Sequence, residues 1–351
     1  MYGLRKRQIE KVQELLEGAN RPLIFFHDDA DGLASFLLMY RYIGDGKGIV
    51  IKTHPVVTAA YLRKVAEYAP DMVIVVDIAN VEEEFIREVS VPIVWIDHHE
   101  DANPHGVQYF NPVADGRQSV PASYLCYQVV GQDEWIAMTG IVGDWALTPL
   151  ARKFARHFPD LLPSSIKRPQ DALFASEIGR LAKAFNFILK GRAQEALKYA
   201  KVMTRIIEPY EILNQSTPRG KYIYKKFHGY EKEYNSIRDE AVAGATDDPL
   251  LLYQASPDKT AFSGELSNEL LYRFPKKVIL VAREHNGIIR CSLRSSPDVS
   301  VRELLEKALT GTSGYGGGHE QACGCSVPKE EFPAFLESFR ELVSVAKGRK
   351  E

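Results

Sequence analysis

Cysteine is scarce in this chain: of 351 residues, only Cys126, Cys291, Cys323 and Cys325 carry thiols. Four thiols so unevenly placed do not frame a secreted disulfide-rich domain. The Cys-x-Cys at 323–325 has no second Cys or His pair at zinc spacing, which argues against a structural zinc. A chain this long buries most of its apolar surface and needs no cross-links to stay folded. Reduced, buried thiols are therefore expected, and with them a reducing compartment. Long apolar runs are missing as well. None approaches about 18–20 residues, so no hydrophobic helix is expected to span a membrane. The N-terminal stretch MYGLRKRQIEKVQELLEG is charged and reads as an amphipathic helix, not a signal peptide. A cytoplasmic location is the expectation. A surplus of either charge is the third absence. Lys and Arg number 44 against 46 Asp and Glu, a formal net charge of −2. That balance announces no nucleic-acid binder, although a basic strip offset by an acidic site would give the same sum.

What is present is the ordinary balance of a soluble globular chain, at a length that suggests two domains. PLIFF at 22–26, MVIVV at 72–76 and VPIVWI at 91–96 are short continuous apolar runs. Such runs suit strands buried on both faces of a parallel sheet. Helical spacing of apolar residues occurs at 4–18 and again near 32–43, 58–69 and 81–89. Strand alternates with helix, so the expected fold class is α/β with an N-terminal parallel sheet, assigned to residues 1–155. From 156 to 249 the pattern turns to longer helical segments, at 174–189 and 193–208, read as a helical connector. A smaller α/β domain is expected over 250–346, with strands at 277–282 and 288–293 and a helix at 299–309.

Each apolar run of the first domain ends in polar residues: HDDADG at 27–32, Asp77, and the Asp97-His98-His99 triplet. In open α/β sheets ligands bind just beyond the carboxyl ends of the strands, so these stretches converge on one rim. His27, Asp29 and Asp31 alternate and project together. Asp144, in TGIVGDW at 139–145, follows a helix expected to begin near Ser119. The set is then four carboxylates and two imidazoles: His27, Asp29, Asp31, Asp77, His98 and Asp144. So many like charges repel and raise one another's pKa values unless cations sit among them. Mixed Asp and His ligands suit Mn²⁺, Fe²⁺ or Co²⁺, and Mg²⁺ less well because it prefers oxygen alone. Two ions about 3.5–4 Å apart, sharing one carboxylate, would use all six ligands. Such a pair activates water at neutral pH and neutralises charge on a phosphate and its leaving oxygen. His99, beside His98, is placed to reach the phosphate or the leaving group, so Asp77, His98 and His99 form the expected catalytic set. Each motif alone has a plainer reading: a calcium-type loop for HxDxDG, a helix cap for Asp77, a solvated triplet for Asp-His-His. Their joint occurrence at successive strand ends favours the metal centre.

In order and spacing, HxDxDG at 27–32, Asp77, Asp97-His98-His99 and Gly143-Asp144 resemble the four motifs of the DHH phosphoesterases. GYGGGH at 314–319 resembles the GGGH element of their second domain, DHHA1. The resemblance covers roughly residues 20–345 and is nearest to the RecJ-like exonucleases and to the nanoRNase or cyclic-dinucleotide phosphodiesterases. It implies two divalent ions, Mn²⁺ in the first place, with Co²⁺, Fe²⁺ or Mg²⁺ as alternatives. His27, Asp29 and Asp77 would hold one ion; Asp31, Asp77, His98 and Asp144 the other, with Asp77 bridging. Asp97 would orient a neighbouring histidine. His27 departs from many RecJ-type sequences, which carry Asp there, and the histidine favours a short substrate. The chain also leaves little length after DHHA1 for an extra nucleic-acid-binding domain. The implied activity is end-first hydrolysis of short single-stranded RNA or DNA to nucleoside monophosphates. A cyclic or linear dinucleotide phosphodiesterase and a nucleotide 3′-phosphatase are the alternatives. An inactive repair or replication scaffold would be expected to have lost ligands, and all six are present. A second copy of the chain or a repair-complex partner is left open.

In the second domain, Gly316, Gly317 and Gly318 would let backbone N–H groups approach a phosphate closely, with a flexible loop as the plainer reading. His319 would donate to a phosphate or stack on a base. Arg294, in SLRSS at 292–296, would pair with a phosphate through its planar fork. These five are the expected substrate-binding residues. His54, His105, His157, His228 and His285 have no such company and are set aside. YIYKKF at 222–227 interleaves aromatic and basic residues, and an amphipathic core strand is expected there rather than a base-stacking surface.

Overall fold

The computed structural model describes residues 2–52, 56–100 and 104–348, and the chain divides into two units, Met1–His228 and Gly229–Glu351. His54 lies outside the described residues. The first unit opens with α1 (Lys6–Glu17), β1 (Leu23–His27), α2 (Ala30–Ile43), β2 (Lys47–Ile51) and β3 (Val56–Val57). A short 3₁₀ turn leads into α3 (Leu62–Tyr68), β4 (Val73–Val76), β5 (Asn80–Val81), α4 (Glu83–Glu88), β6 (Ile93–Ile96) and β7 (Gln108–Phe110). Helices follow: α5 (Ala122–Val130), α6 (Glu134–Gly143), α7 (Leu150–His157), α8 (Pro169–Phe174), α9 (Glu177–Ile188), α10 (Ala193–Met203) and α11 (Tyr210–Leu213). The long α12 (Pro218–Ala243) carries the chain from the first unit into the second.

The main sheet of the first unit runs in the order β2-β1-β4-β6-β7, and every pair in it is parallel. Every residue of β1, β4 and β6 is buried except His27 at the end of β1. That two-sided burial is why these strands read as unbroken apolar runs. Leu23, Phe25, Val73, Val75 and Trp95 form one apolar layer with Phe85 of α4. The alternate positions Ile24, Phe26, Ile74 and Ile96 are equally buried, on the side covered by α2 and α5. From β1 the order steps one way to β2 and the other way to β4. The sheet's switch point is therefore the gap between β1 and β4, where an open α/β sheet leaves a crevice. His27 and Asp77 stand at the two lips of that crevice.

α2 starts hard against the end of β1. A Cβ on Gly32 would lie 2.4 Å from the carbonyl oxygen of His27, so glycine alone permits this approach. Asp29 caps the helix, its side chain accepting from Gly32 N–H. Residues 30–39 are buried all round, as a central helix requires.

The second unit is a smaller α/β arrangement: β8 (Leu250–Ala255), α13 (Ser263–Arg273), β9 (Val278–His285), β10 (Ile288–Arg294), α14 (Val301–Ala308), β11 (Tyr315–His319), β12 (Ala322–Pro328) and α15 (Phe332–Gly348). Its sheet runs β11-β12-β10-β9-β8, with β8 and β9 parallel and the other pairs antiparallel. Leu280, Leu293, Val327, Phe335 and Phe339 anchor its core. All four cysteines are free and buried. Among the described residues, no helix is long and apolar enough to cross a membrane.

One local expectation needs correction, and one alternative reading falls away. The glycine run at 316–318 belongs to an edge strand, β11, not a loop. The YIYKKF segment lies within α12, not in a strand. Ile223 and Phe227, four residues apart, are buried on one face while Tyr222 is exposed, which is helical spacing.

The glycines of β11 differ in their surroundings. A Cβ on Gly316 would stand 2.5 Å from the Cβ of Cys325, whereas one on Gly317 would meet nothing within 4 Å. Gly316→Ala should therefore cost about 1–3 kcal/mol of stability by overpacking, and Gly317→Ala no more than about 0.5 kcal/mol. Urea unfolding measures both, and equal losses would contradict this packing.

Candidate metal centre

The crevice gathers side chains from four segments. His27 ends β1, and its Nδ1 lies 2.7 Å from Asp29 Oδ2 and 3.8 Å from Asp77 Oδ2. Asp77 follows β4 in the left-handed region, with φ of 56°. Asp is among the few non-glycine types that adopt this conformation readily as single residues, so the turn after β4 is open to it. The Asp77 backbone N–H donates to Ile96 O, fixing the turn to the neighbouring strand. Its other carboxylate oxygen, Oδ1, is 3.2 Å from His98 Nε2. Asp144 caps the C-terminal end of α6 and brings Oδ2 to 3.9 Å from His98 Nδ1. Asp31, in the first turn of α2, is buried and accepts from the backbone N–H groups of Ala122 and Ser123 at 2.7 and 3.0 Å.

Three groups of potential ligand atoms lie within 4.8 Å of one another: His27, Asp29 and Asp77; Asp31, His98 and Asp144; and Asp77, His98 and His99. Asp77 belongs to two of them, and so does His98. All six residues picked out as ligands in the sequence are thus brought together, and His99 joins them. Asp97 is wholly buried and accepts from His99 twice, through the ring Nδ1 at 2.8 Å and the backbone N–H at 3.1 Å. With Nδ1 so engaged, His99 keeps Nε2 without a hydrogen bond among the described residues.

The geometry fits cations on one observation above the others. Asp77 is 2% exposed, and its Oδ2 accepts no hydrogen bond. A buried carboxylate oxygen without a donor is costly, and a divalent ion between the triads would satisfy it.

Protonation tells the same story. Burial lowers the His27 pKa, but Asp29 and Asp77 more than reverse this and raise it to about 11. His98 is likewise disfavoured by burial and then raised by Asp77, to about 10. Burial and the charge of Asp77 push Asp31 up to about 7. Burial and Asp31 raise Asp144 well above the carboxylate range. Asp29 opposes its own burial by pairing with His27 and is held below that range. The directions share one cause: carboxylates crowded in a buried crevice favour positive charge beside them, whether from a proton or a cation.

Sequence reasoning missed several supporting groups. Ser119 lies 3.1 Å from His98 Nδ1, and its hydroxyl donates to His98 O. Asn111 donates to His99 O at 2.8 Å. Asp28 pairs with Lys52 at 3.0 Å, beside His27. Asn111 follows the three-residue β7, too short to show a pattern; Asp28 was visible inside HDDADG but falls out of its alternation.

In the second unit, Arg294 ends β10. Its Nε donates to Asn268 Oδ1 at 2.6 Å and its Nη1 to Leu293 O at 2.8 Å. Among the described residues no carboxylate pairs with it, and burial lowers its pKa. His319 and Gly316 to Gly318 are exposed along β11, as is Tyr315 at 75% exposure, which the sequence reading passed over.

A parallel sheet with acidic and imidazole side chains at its switch point, followed along the chain by a second α/β unit, fits an α/β protein able to hold divalent metal. Residues 21–141 match the DHH family, N-terminal domain, and residues 253–345 match the DHHA1 domain. The chain belongs to the DHH phosphoesterase family. No curated protein matches it by sequence. Among solved structures it is similar to an exonuclease RecJ bound to manganese, with 17% identity, 97% of this chain and 95% of that one covered, and a TM-score of 0.63. RecJ from Thermus thermophilus in complex with Mn²⁺ matches at 16% identity over 98% of this chain, with a TM-score of 0.62. This chain spans only 56% of that protein's length. A pGpG-specific phosphodiesterase, PggH from Vibrio, matches at 15% identity over 93% of this chain and 99% of that one, with a TM-score of 0.52. At these identities the likeness is one of fold.

A pH dependence follows from the raised pKa values. Through these groups the folded, metal-free protein keeps protons that the unfolded chain releases, so above the ordinary carboxylate range they make its stability fall as pH rises, while Asp29 acts the other way below it. For Asp31 the loss runs from the ordinary 3.8 to about 7. For His27 and His98 the stabilisation is full below 6.5 and is lost as pH rises through about 10–11. Cations must displace these protons. The rise in Tm when Mn²⁺ is added to chelator-treated protein should therefore be larger near pH 8 than near pH 6; a rise that is the same at both would contradict the assignment.

Proposed function

We propose that the chain is a divalent-metal-dependent phosphodiesterase that removes nucleoside monophosphates from an end of short single-stranded RNA or DNA. The observation that carries this reading is the set of three overlapping Asp/His groups, linked through Asp77 and His98, with the buried Asp77 Oδ2 lacking a donor. His27, Asp29 and Asp77 would hold one ion, and Asp31, Asp77, His98 and Asp144 the other. Two ions held there would supply an activated water at neutral pH and would offset charge on the phosphate.

The chain's own groups do the rest. Gly32 N–H fixes Asp29, and the backbone N–H groups of Ala122 and Ser123 fix Asp31, so the ligands are held before substrate arrives. Asp97 holds Nδ1 of His99, leaving Nε2 to carry the proton that the leaving oxygen needs as the P–O bond breaks. In the second unit, Arg294 and the exposed β11 from Gly316 to His319 would bind the terminal nucleotide's phosphate, and Tyr315 offers a face for a base.

Hydrolysis of a linear dinucleotide is the second reading, favoured by the fold likeness to the pGpG-specific phosphodiesterase and by His27 in the first motif.

A substrate panel with Mn²⁺ tests both: five-nucleotide RNA and DNA, linear and cyclic dinucleotides, and a long single strand. Monophosphate release should be fastest on the short strands, and Asp77→Ala should abolish it. Asp97→Asn should lower turnover on the order of 10–100-fold while Mn²⁺ content holds. No product from any member, or full activity in Asp77→Ala, would refute the hydrolase reading. A preference for the linear dinucleotide would select the second.

A further inference from the structure

A cavity of about 660 Å³ opens in the first unit between α7 and the segment that follows it. That volume lies in the range of small-molecule sites, which are mostly apolar with a few placed polar groups. Leu147, Leu162 and Ile166 supply apolar wall, and Ala151 and Ala155, four residues apart on α7, leave space by their small size.

Charge is concentrated at the same opening. Arg152, Arg156 and Lys167 all line it. The arginines are also four residues apart, so they stand side by side on α7. The helix's other cations are already matched: Lys153 lies 3.2 Å and His157 3.0 Å from Glu134. Arg152 and Arg156 meet no carboxylate among the described residues. One face of α7 is thus internally neutralised, and the face at the cavity carries uncompensated positive charge.

A buried polar atom gives an independent sign. Thr148 lines the cavity, is 4% exposed, and its hydroxyl has no hydrogen-bond partner. Buried polar groups are almost always paired.

We infer that this cavity binds a small anion with an apolar ring body, of the nucleoside monophosphate class, at a site separate from the metal centre. The ring fills the space over Ala151 and Ala155, Thr148 meets a polar group of the ligand, and the phosphate pairs with the forks of Arg152 and Arg156. The cavity wall is tied to the chemistry by sequence. Leu147 stands three residues after Asp144, and Trp145 between them packs on Phe174 with ring centroids 5.4 Å apart. Occupancy therefore bears on the loop that positions Asp144. That the ligand is the enzyme's own product, and so a feedback signal, rests on the function proposed above; the binding site does not.

The test is titration of chelator-treated protein with adenosine monophosphate, adenosine and inorganic phosphate, followed by Trp145 fluorescence and by heat. Trp95 and Trp135 are buried, and Trp145→Phe identifies the reporter. The expected result is saturable adenosine monophosphate binding, at least about tenfold tighter than either adenosine or phosphate. It should weaken at least about tenfold in Arg152→Gln/Arg156→Gln and in Ala155→Trp, which fills the cavity, and persist in Asp77→Ala. The arginines are exposed, so their replacement leaves the core intact. Absence of binding, binding unchanged by the arginine pair, loss in Asp77→Ala, or equal affinity for phosphate or adenosine would each overturn the proposal. Binding retained here with no hydrolysis of any strand would sink the proposed function alone.

Discussion

Too much negative charge in too little water is the constraint on which the structure turns. Four carboxylates and three imidazoles share one crevice, with Asp31 and Asp77 almost fully buried. A protein does not keep such a cluster ionised without compensation. Protons are one form of compensation, and the raised pKa values of His27, His98 and Asp31 run in that direction. Divalent ions would answer the same need with chemistry attached. The unsatisfied Asp77 Oδ2 marks where protons alone leave the set of hydrogen bonds incomplete.

The scaffold serves this cluster by removing its freedom. Parallel strands aim β1, β4 and β6 at one rim, and the switch point opens the crevice between the first two. Gly32 lets α2 close on the end of β1, which carries Asp31 inward and leaves Asp29 as the cap. Asp97 is spent on orienting His99 rather than on facing the crevice. These restraints are built before any ligand binds, which is the condition for electrostatic catalysis.

How much of this could be read from the sequence depended on burial. β1, β4 and β6 are buried on both faces, so their apolar runs and the acidic residues closing them stood out in the chain. β2 and β7 did not: β2 begins with exposed Lys47, and β7 has three residues. The glycines of β11 have no side chains to alternate, and their strand exists because β12 offers it a partner. The YIYKKF segment carried both periodicities, and its helical one, Ile223 with Phe227, is the one that packs. Within the site, Asp29, Asp77 and His98 were legible because motifs name them. Ser119 and Asn111 were not, since a hydrogen bond across the chain leaves no local pattern.

The central claim, that Asp77 holds two neighbouring divalent ions, is tested most directly by loading chelator-treated protein with Mn²⁺ and counting. Equilibrium binding with electron paramagnetic resonance should give two ions per chain, spin-coupled as ions about 3.5–4 Å apart must be, and Asp77→Asn should abolish the coupling. One ion per chain, none, or two uncoupled ions untouched by Asp77→Asn would contradict the account.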